Sequence, residues 1–160
     1  MPRQRLTETE NAADAVRKQA LDMLARREHS GAELQAKLTA KGFPPDITRT
    51  ALMELCRSGW LDDARFTEAF IRARSDRGYG PARIRAELKE RGVDDEVISS
   101  HLDMHDPSWI RRLRSVWNKR FAAKRPGSYA EKARQMRFLQ SRGFTVEQIR
   151  SVIDGGLDEE

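Results

Sequence analysis

The chain has 160 residues, of which 38% are hydrophobic and 34% charged, with a mean hydropathy of -0.75. This composition excludes a membrane-embedded or fibrous protein and predicts a folded chain with a modest core. Its 30 lysines and arginines exceed its 25 acidic residues and give a net charge of +5, which permits a polyanionic partner.

The compartment follows from two features of the sequence. The single cysteine, Cys56, cannot form an internal disulfide, so we expect a buried thiol in the reducing cytoplasm. Residues 1–14 lack the apolar run of a signal peptide, and no run of apolar residues is long enough to span a membrane. We therefore expect a cytoplasmic protein without membrane contact.

The hydrophobic pattern is helical along the whole chain. Apolar residues recur at spacings of three and four, and no stretch alternates with period two. Helix starts are indicated in chain order by capping boxes and by caps next to proline or an amphipathic run: Ser30 with Glu33, Asp62 with Asp63, Gly80 with Pro81, Asp106 with Pro107, Ser128 with Glu131, and Thr145 with Gln148. Helix ends are predicted at Gly42, Gly59, Gly78, Gly92 and Gly143. About nine helices result.

The glycines reveal a repeat. A leucine four residues before a glycine occurs at Leu38, Leu88 and Leu139, at offsets of 50 and 51 residues. We predict three-helix repeats over 11–59, 60–104 and 105–155, with flexible tails at 1–10 and 156–160. Because one such unit buries little apolar area alone, the units should stack. The fold class is then all-α, an elongated tandem array of three three-helix repeats, and the alternative is one compact helical bundle.

Charge is unevenly distributed among the repeats. Residues 1–60 carry 10 basic and 8 acidic side chains, residues 61–105 carry 8 and 10, and residues 106–160 carry 12 and 7. The net positive charge therefore belongs to the third repeat. A smaller basic concentration surrounds the turn at Gly78 and Gly80. A solvated helix face explains such basic runs without a ligand. In the third repeat, however, few acidic residues balance the basic ones, and this excess favours an acidic or polyanionic partner.

Two groups of residues are the predicted contacts with that partner. Arg120 is set aside because its helical angle places its stem against the stripe of Trp109 and Leu113, where we also expect Trp117 to pack as core. The predicted contacts are Arg72, Arg74, Arg77, Tyr79, Arg83, Arg85 and Lys89 around the turn, and Arg111, Arg112, Arg114, Lys119, Lys124, Arg125 and Arg134 in the third repeat.

The sequence contains no constellation typical of an enzyme. His101 and His105 have the spacing of two metal ligands on one helix, but no third ligand lies near them in sequence. Asp62 and Asp63 precede an amphipathic run, where helix capping explains them better than acid–base chemistry. There is no glycine-rich phosphate loop and no nucleophile elbow. We expect no enzymatic activity, no cofactor and no metal.

Three segments resemble a known family. They are Leu24 to Ser30 followed by Glu33, Leu34 and Leu38; Leu61-Asp-Asp-Ala-Arg-Phe66; and Arg77-Gly-Tyr-Gly-Pro81 with Ile84 and Leu88. Together they are similar to the RecX regulatory proteins, which modulate the bacterial recombinase RecA. The resemblance covers residues 18–154. In the third repeat, Gln135 stands where the earlier repeats have Leu34 and Ile84, and we expect Met136 to take its core position.

The resemblance implies a protein that binds RecA and the RecA–DNA filament. It further implies inhibition of the ATPase, strand-exchange and co-protease activities of RecA in recombination and the SOS response. The residues themselves leave two other interpretations open. One is a helical module that binds DNA directly without a recombinase partner, since short glycine turns join its helices as in helix-turn-helix proteins. The other is a helical scaffold without polyanion contact. We expect a monomer.

Overall fold

The structure is a computed structural model that describes residues 2–155, with side chains from Glu8 onward. Within this range it contains nine α-helices and no strand, which confirms the all-α prediction. The helices are α1 (Pro2–Arg26), α2 (Gly31–Ala40), α3 (Pro45–Arg57), α4 (Asp63–Asp76), α5 (Pro81–Glu90), α6 (Asp95–His101), α7 (Ser108–Phe121), α8 (Tyr129–Ser141) and α9 (Val146–Ile153). None of these helices is long and apolar enough to cross a bilayer.

Of the two predicted tails, only the amino-terminal one falls within the described residues. Residues 2–10 of the expected amino-terminal tail form the first turns of α1. Residue 1 and the expected tail at 156–160 lie outside the described residues.

The described chain forms two compact units. One contains the described residues up to Ala69 together with Lys89–Val97, and the other contains Phe70–Leu88 with the described residues from Ile98 onward. The middle repeat therefore contributes residues to both units.

In the first unit, α1, α2 and α3 pack against one another. Their apolar residues recur at helical spacing, so one face of each helix enters the core. Half-buried Leu24 and Ile47 pack against this core. Cys56, near the end of α3, is exposed, so the expectation of a buried thiol is wrong. The buried core residues are Val16, Ala20, Leu34, Leu38, Ala51, Leu52, Leu55 and Leu61.

In the second unit, α7, α8 and α9 pack in the same manner. Trp109 and Trp117 are both buried, which confirms that they are core residues. Gln135 is also buried, and Met136 is only half-buried, so the expected replacement by Met136 is wrong. The Gln135 amide accepts a hydrogen bond from Trp117 Nε1 at 3.0 Å and donates one to the Lys124 carbonyl at 2.9 Å. Because these partners satisfy its polar atoms, Gln135 occupies the site of Leu34 and Ile84.

Two of the three predicted capping boxes are complete. Ser30 and Thr145 each accept a hydrogen bond from the third residue of the helix, whose side chain in turn accepts one from the cap amide. At α8, Ser128 accepts from the Glu131 amide, but the Glu131 carboxylate accepts from Gly127 N at 2.7 Å instead. Helix α7 begins at Ser108, one residue after the predicted start.

The Leu61 to Phe66 segment stabilises the first unit through helix capping and core packing. Asp62 accepts hydrogen bonds from the amides of Ala64 and Arg65 and so caps α4, as predicted. Asp63 accepts a hydrogen bond from Gly31 N at 2.8 Å and thereby satisfies the first amide of α2. Leu61 and Phe66 are buried. This motif therefore has a structural role.

Two glycine turns each pack against the amino terminus of a helix that belongs to the preceding repeat. Gly92, at φ +75°, faces Ala32 at the start of α2, and a Cβ on Gly92 would overlap the Ala32 Cβ. Next to it, Ser30 Oγ donates a hydrogen bond to the Arg91 carbonyl at 2.7 Å. Neither the backbone angle nor the available space admits a side chain at Gly92.

The same arrangement recurs in the second unit. Gly143, at φ +102°, faces Arg83 at the start of α5, and a Cβ there would overlap the Arg83 Cβ. Gly80 N donates to the Arg142 carbonyl at 2.7 Å, and Ala82 N donates to the Gly143 carbonyl at 2.9 Å. Both turns therefore require glycine because of contacts between repeats.

Replacing Gly92 with alanine should destabilise the protein more than replacing Gly42. A Cβ added to Gly42, at φ +98°, would have no atom within 4 Å, so Gly42→Ala costs only the left-handed backbone, about 1 kcal/mol. Gly92→Ala adds the overlap with Ala32, a further ~1–3 kcal/mol. Urea unfolding measures both, and equal losses of unfolding free energy would contradict this packing.

His29 should make stability depend on pH. It is buried, and burial lowers its pKa. Its Nδ1–H donates to the Arg27 carbonyl at 3.0 Å, and Nε2 lies 3.4 Å from Lys37 Nζ, so the neutral ring fits and a protonated ring would face an ammonium group. The unfolded chain, with an ordinary His pKa of about 6.5, then takes up the proton more readily.

The contribution of His29 is therefore present above about pH 6.5 and is lost as the pH falls through the lower, folded pKa. Thermal unfolding of the wild type and of His29→Gln between pH 7.5 and 5 measures the difference. The wild type should lose more stability than the variant, and parallel profiles would show that His29 titrates normally.

Candidate functional site

The turn between α4 and α5 positions Tyr79 in the second unit. Gly78 ends α4 in the left-handed region, at φ 85°, and Pro81 starts α5 as a buried first residue. The hydrogen bonds from Gly80 and Ala82 to the α8–α9 turn fix the backbone on the other side. Tyr79 is therefore held half-buried beside the start of α5.

Three guanidinium groups surround the Tyr79 ring. Their carbon atoms lie 4.2 Å (Arg83), 5.2 Å (Arg142) and 5.7 Å (Arg74) from the ring centroid, which is cation–π distance. Glu87 pairs with Arg74 Nε at 2.9 Å and with Arg83 Nε at 3.2 Å. We call Arg74, Tyr79, Arg83, Glu87 and Arg142 the tyrosine cluster. It has three cations and one carboxylate, so it is electropositive.

A groove of about 290 Å³ lies in the second unit between the end of α4 and one face of α7. We call it the basic groove. Five cationic side chains line it, and Asp76 is the one carboxylate in its lining, 3.4 Å from Arg112 Nη1. The groove is therefore strongly positive. Its lining residues are Ser75, Asp76, Arg77, Gly78, Arg112, Ser115, Val116, Lys119, Arg120, Phe138 and Arg142.

Phe138 holds two of these cations in place. Its ring meets Phe121 edge to face, with centroids 5.5 Å apart. The guanidinium groups of Arg120 and Arg142 each lie 5.4 Å from its centroid. Stacking on the ring orients both side chains while their N–H groups remain available as donors. The aromatic ring thus serves as a support for cations.

The structure brings only some of the predicted contacts together. Arg77, Arg112 and Lys119 line the basic groove, and Arg74, Tyr79 and Arg83 belong to the tyrosine cluster. Lys89 is in the first unit, where it pairs with Asp95 at 3.2 Å. The remaining candidates are exposed residues outside the groove lining: Arg72, Arg85, Arg111, Arg114, Lys124, Arg125 and Arg134.

Sequence reasoning missed three residues of this site. Arg120, which its helical angle placed against the core, is exposed and lines the groove. Phe138 and Arg142 were not among the candidates. Arg142 could have been found, because it precedes Gly143 as Arg91 precedes Gly92 in the preceding repeat. No local pattern identifies the contact of Arg120 with Phe138.

The groups in the groove determine what it can bind. Guanidinium, ammonium and hydroxyl groups donate hydrogen bonds to phosphate or carboxylate oxygens. Across residues 8–155, no three His, Cys, Asp or Glu side chains are placed to hold a metal ion. The arrangement is that of an anion-binding surface.

The fold and this surface define a class: an all-helical protein of tandem three-helix repeats with a cationic groove. Three family models match it in order along the chain. They are the first RecX three-helix domain over residues 17–55, the second over 62–102 and the third over 110–153. The chain therefore belongs to the RecX family of regulatory proteins, as its motifs indicated.

Similar proteins cover nearly the whole chain. It is 46% identical over 141 residues to the regulatory protein RecX of Pseudomonas entomophila (strain L48), covering 88% of this chain and 91% of the relative. It is 44% identical over 146 residues to the regulatory protein RecX of Halorhodospira halophila, covering 91% of each. Both relatives are named as regulatory proteins.

Solved structures share the fold. The crystal structure of RecX from Lactobacillus salivarius matches with a TM-score of 0.76 at 18% identity, over 91% of this chain and 97% of that one. A second crystal structure, of a regulatory protein RecX, matches with a TM-score of 0.77 at 18% identity, over 96% of this chain and 78% of that one.

Charge reversal should separate the basic groove from the tyrosine cluster. Arg77 is exposed and has no ion pair among the described residues, so Arg77→Glu should change the unfolding free energy by less than about 0.5 kcal/mol. Arg83→Glu should cost about 1–2 kcal/mol, because it places a carboxylate beside Glu87 and removes the hydrogen bond to the Ser141 carbonyl. Thermal unfolding compares the two variants, and equal effects would show that the cluster is not structural.

Proposed function

We propose that this protein regulates the RecA recombinase by binding RecA and its filament on DNA. Membership of the RecX family supports this proposal. The structural observation that carries it is the basic groove. Binding would inhibit the ATPase, strand-exchange and co-protease activities of RecA in recombination and the SOS response. The protein acts as a cytoplasmic, monomeric binding protein without catalysis of its own.

The basic groove is the proposed contact with the filament. Five cations against one carboxylate attract a surface rich in phosphate or carboxylate groups, and Arg120 and Arg142 are already oriented by Phe138. The exposed cations Arg111, Arg114, Lys124, Arg125 and Arg134 extend the positive surface of the third repeat. Together these groups favour association with a DNA-bound filament and oppose its rearrangement.

The alternative is a module that binds DNA directly without a recombinase partner. The same groove supports it, because arginine and lysine are the usual donors to phosphate oxygens. The two functions differ in their partner. A regulator of RecA binds the filament more tightly than the DNA alone, and a DNA-binding module binds both equally.

Charge reversal in the groove should weaken filament binding. The variant combines Arg77→Glu, Arg112→Glu and Lys119→Glu, and its affinity for the RecA filament on single-stranded DNA is measured by fluorescence anisotropy at several salt concentrations. If the groove contacts phosphate, the slope of log affinity against log salt should flatten by about 2. A weakened affinity with an unchanged slope points to carboxylates of RecA.

The matched control reverses three exposed cations elsewhere, Lys18, Arg26 and Arg150, none of which has an ion-pair partner among the described residues. Its net charge equals that of the groove variant, so it corrects for long-range attraction. Equal losses of affinity in both variants would show that net charge, and not the groove, governs binding.

A further inference from the structure

An exposed aromatic side chain lies at the end of α3, in the first unit. Trp60 is 61% exposed, whereas Trp109 and Trp117 are 5% and 8% exposed. Met53, on the same helix, is 51% exposed. Met53 and Arg57 are four residues apart on α3 and so share one face of the helix, and Trp60 follows three residues after the helix ends. We call these three residues the α3 patch. Among the described residues the other exposed large hydrophobic side chains are Tyr129, at 89%, and Val146, at 37%.

The backbone beneath Trp60 is rigidly held. Gly59, at φ 80°, closes α3 with a hydrogen bond to the Cys56 carbonyl at 3.1 Å, and Trp60 N donates to the Leu55 carbonyl at 3.0 Å. Arg65 donates to the carbonyls of Gly59 and Trp60, at 3.1 Å each. Arg65 is itself ion-paired with Glu28. The indole therefore projects from a fixed turn, which lowers the entropy cost of using it as an anchor.

Charges near the α3 patch select the kind of partner. Glu54 is paired with Arg17 at 2.8 Å, and Asp62 accepts the amides that cap α4. Arg57 is exposed and has no ion-pair partner among the described residues. The patch thus offers two apolar side chains and one available guanidinium group in a part of the chain where basic and acidic residues nearly balance.

From this arrangement we infer that the α3 patch is a protein-docking surface, complementary to an apolar depression bordered by a carboxylate group on a folded protein. Tryptophan and arginine are the residues enriched at such binding hot spots. Near-balanced charge disfavours DNA as the occupant, since DNA binding depends on phosphate neutralisation. Resting on the proposed function, we assign this partner surface to the recombinase subunits of the filament.

The first test uses tryptophan fluorescence with acrylamide as quencher. Since the other two tryptophans are buried, Trp60 should supply most of the quenchable emission, and Trp60→Phe should remove it. The measurement compares the free protein, the protein with a saturating RecA filament on single-stranded DNA, and the protein with that DNA alone. The filament is prepared from a tryptophan-free RecA variant. Otherwise the emission of the filament is measured with the Trp60→Phe variant and subtracted.

The filament should protect Trp60 from acrylamide, and DNA alone should not. A bound filament that leaves Trp60 as accessible as before overturns the inference. Equal protection by DNA alone also overturns it, because the indole then stacks on bases. If the wild type does not bind the filament at all, the proposed function fails, and the docking assignment that rests on it fails with it.

The second test measures affinity. Trp60→Ala should weaken filament binding at least about tenfold with an unchanged salt slope and an unchanged unfolding temperature. Met53→Ser is a second variant that leaves the Trp60 turn intact and should weaken binding in the same direction. The matched control is Tyr129→Ala, which removes an 89% exposed aromatic side chain from the second unit. Equal affinities of Trp60→Ala, Met53→Ser and the control would overturn the inference.

Discussion

The contact of a helix amino terminus with the glycine turn of the following repeat is the constraint on which the structure depends. At Gly92 and at Gly143 the two backbones lie so close that no side chain fits between them. The carbonyl of the preceding arginine accepts a hydrogen bond from the cap residue, Ser30 in one case and Gly80 in the other. Gly42 has no such neighbour, because a Cβ on it would meet no atom within 4 Å, and its glycine is needed only for the turn.

This constraint separates the structural residues from those available for binding. The Leu61 to Phe66 motif caps two helices and fills the core, and the turn at Gly80 docks on the α8–α9 turn. The most recognisable family motifs therefore maintain the packing of the repeats. The cations of the basic groove and the exposed end of α3 contribute little to the core, and these are the surfaces that we propose for binding.

Local features of the fold could be predicted from the sequence, and long-range contacts could not. Helical periodicity, the Ser30 and Thr145 caps and the positions at which glycine ends a helix depend on residues within one or two turns, so they are visible in sequence. The contacts of Gly92 with Ala32 and of Gly143 with Arg83 are not. The burial of Gln135 depends on Trp117 and on the Lys124 carbonyl, which only the tertiary packing brings to it. In the same way, the groove depends on Phe138 and Phe121 meeting across two helices and supporting Arg120.

The most direct test of the proposed regulation is the rate of ATP hydrolysis by RecA on single-stranded DNA, measured as this protein is added below the amount that could coat the DNA. A protein that acts on the filament through RecA should inhibit hydrolysis at these substoichiometric levels. A DNA-binding module that competes for the strand should inhibit only when enough protein is present to cover it, and a helical scaffold should not inhibit at all. Either of the last two results would contradict the account.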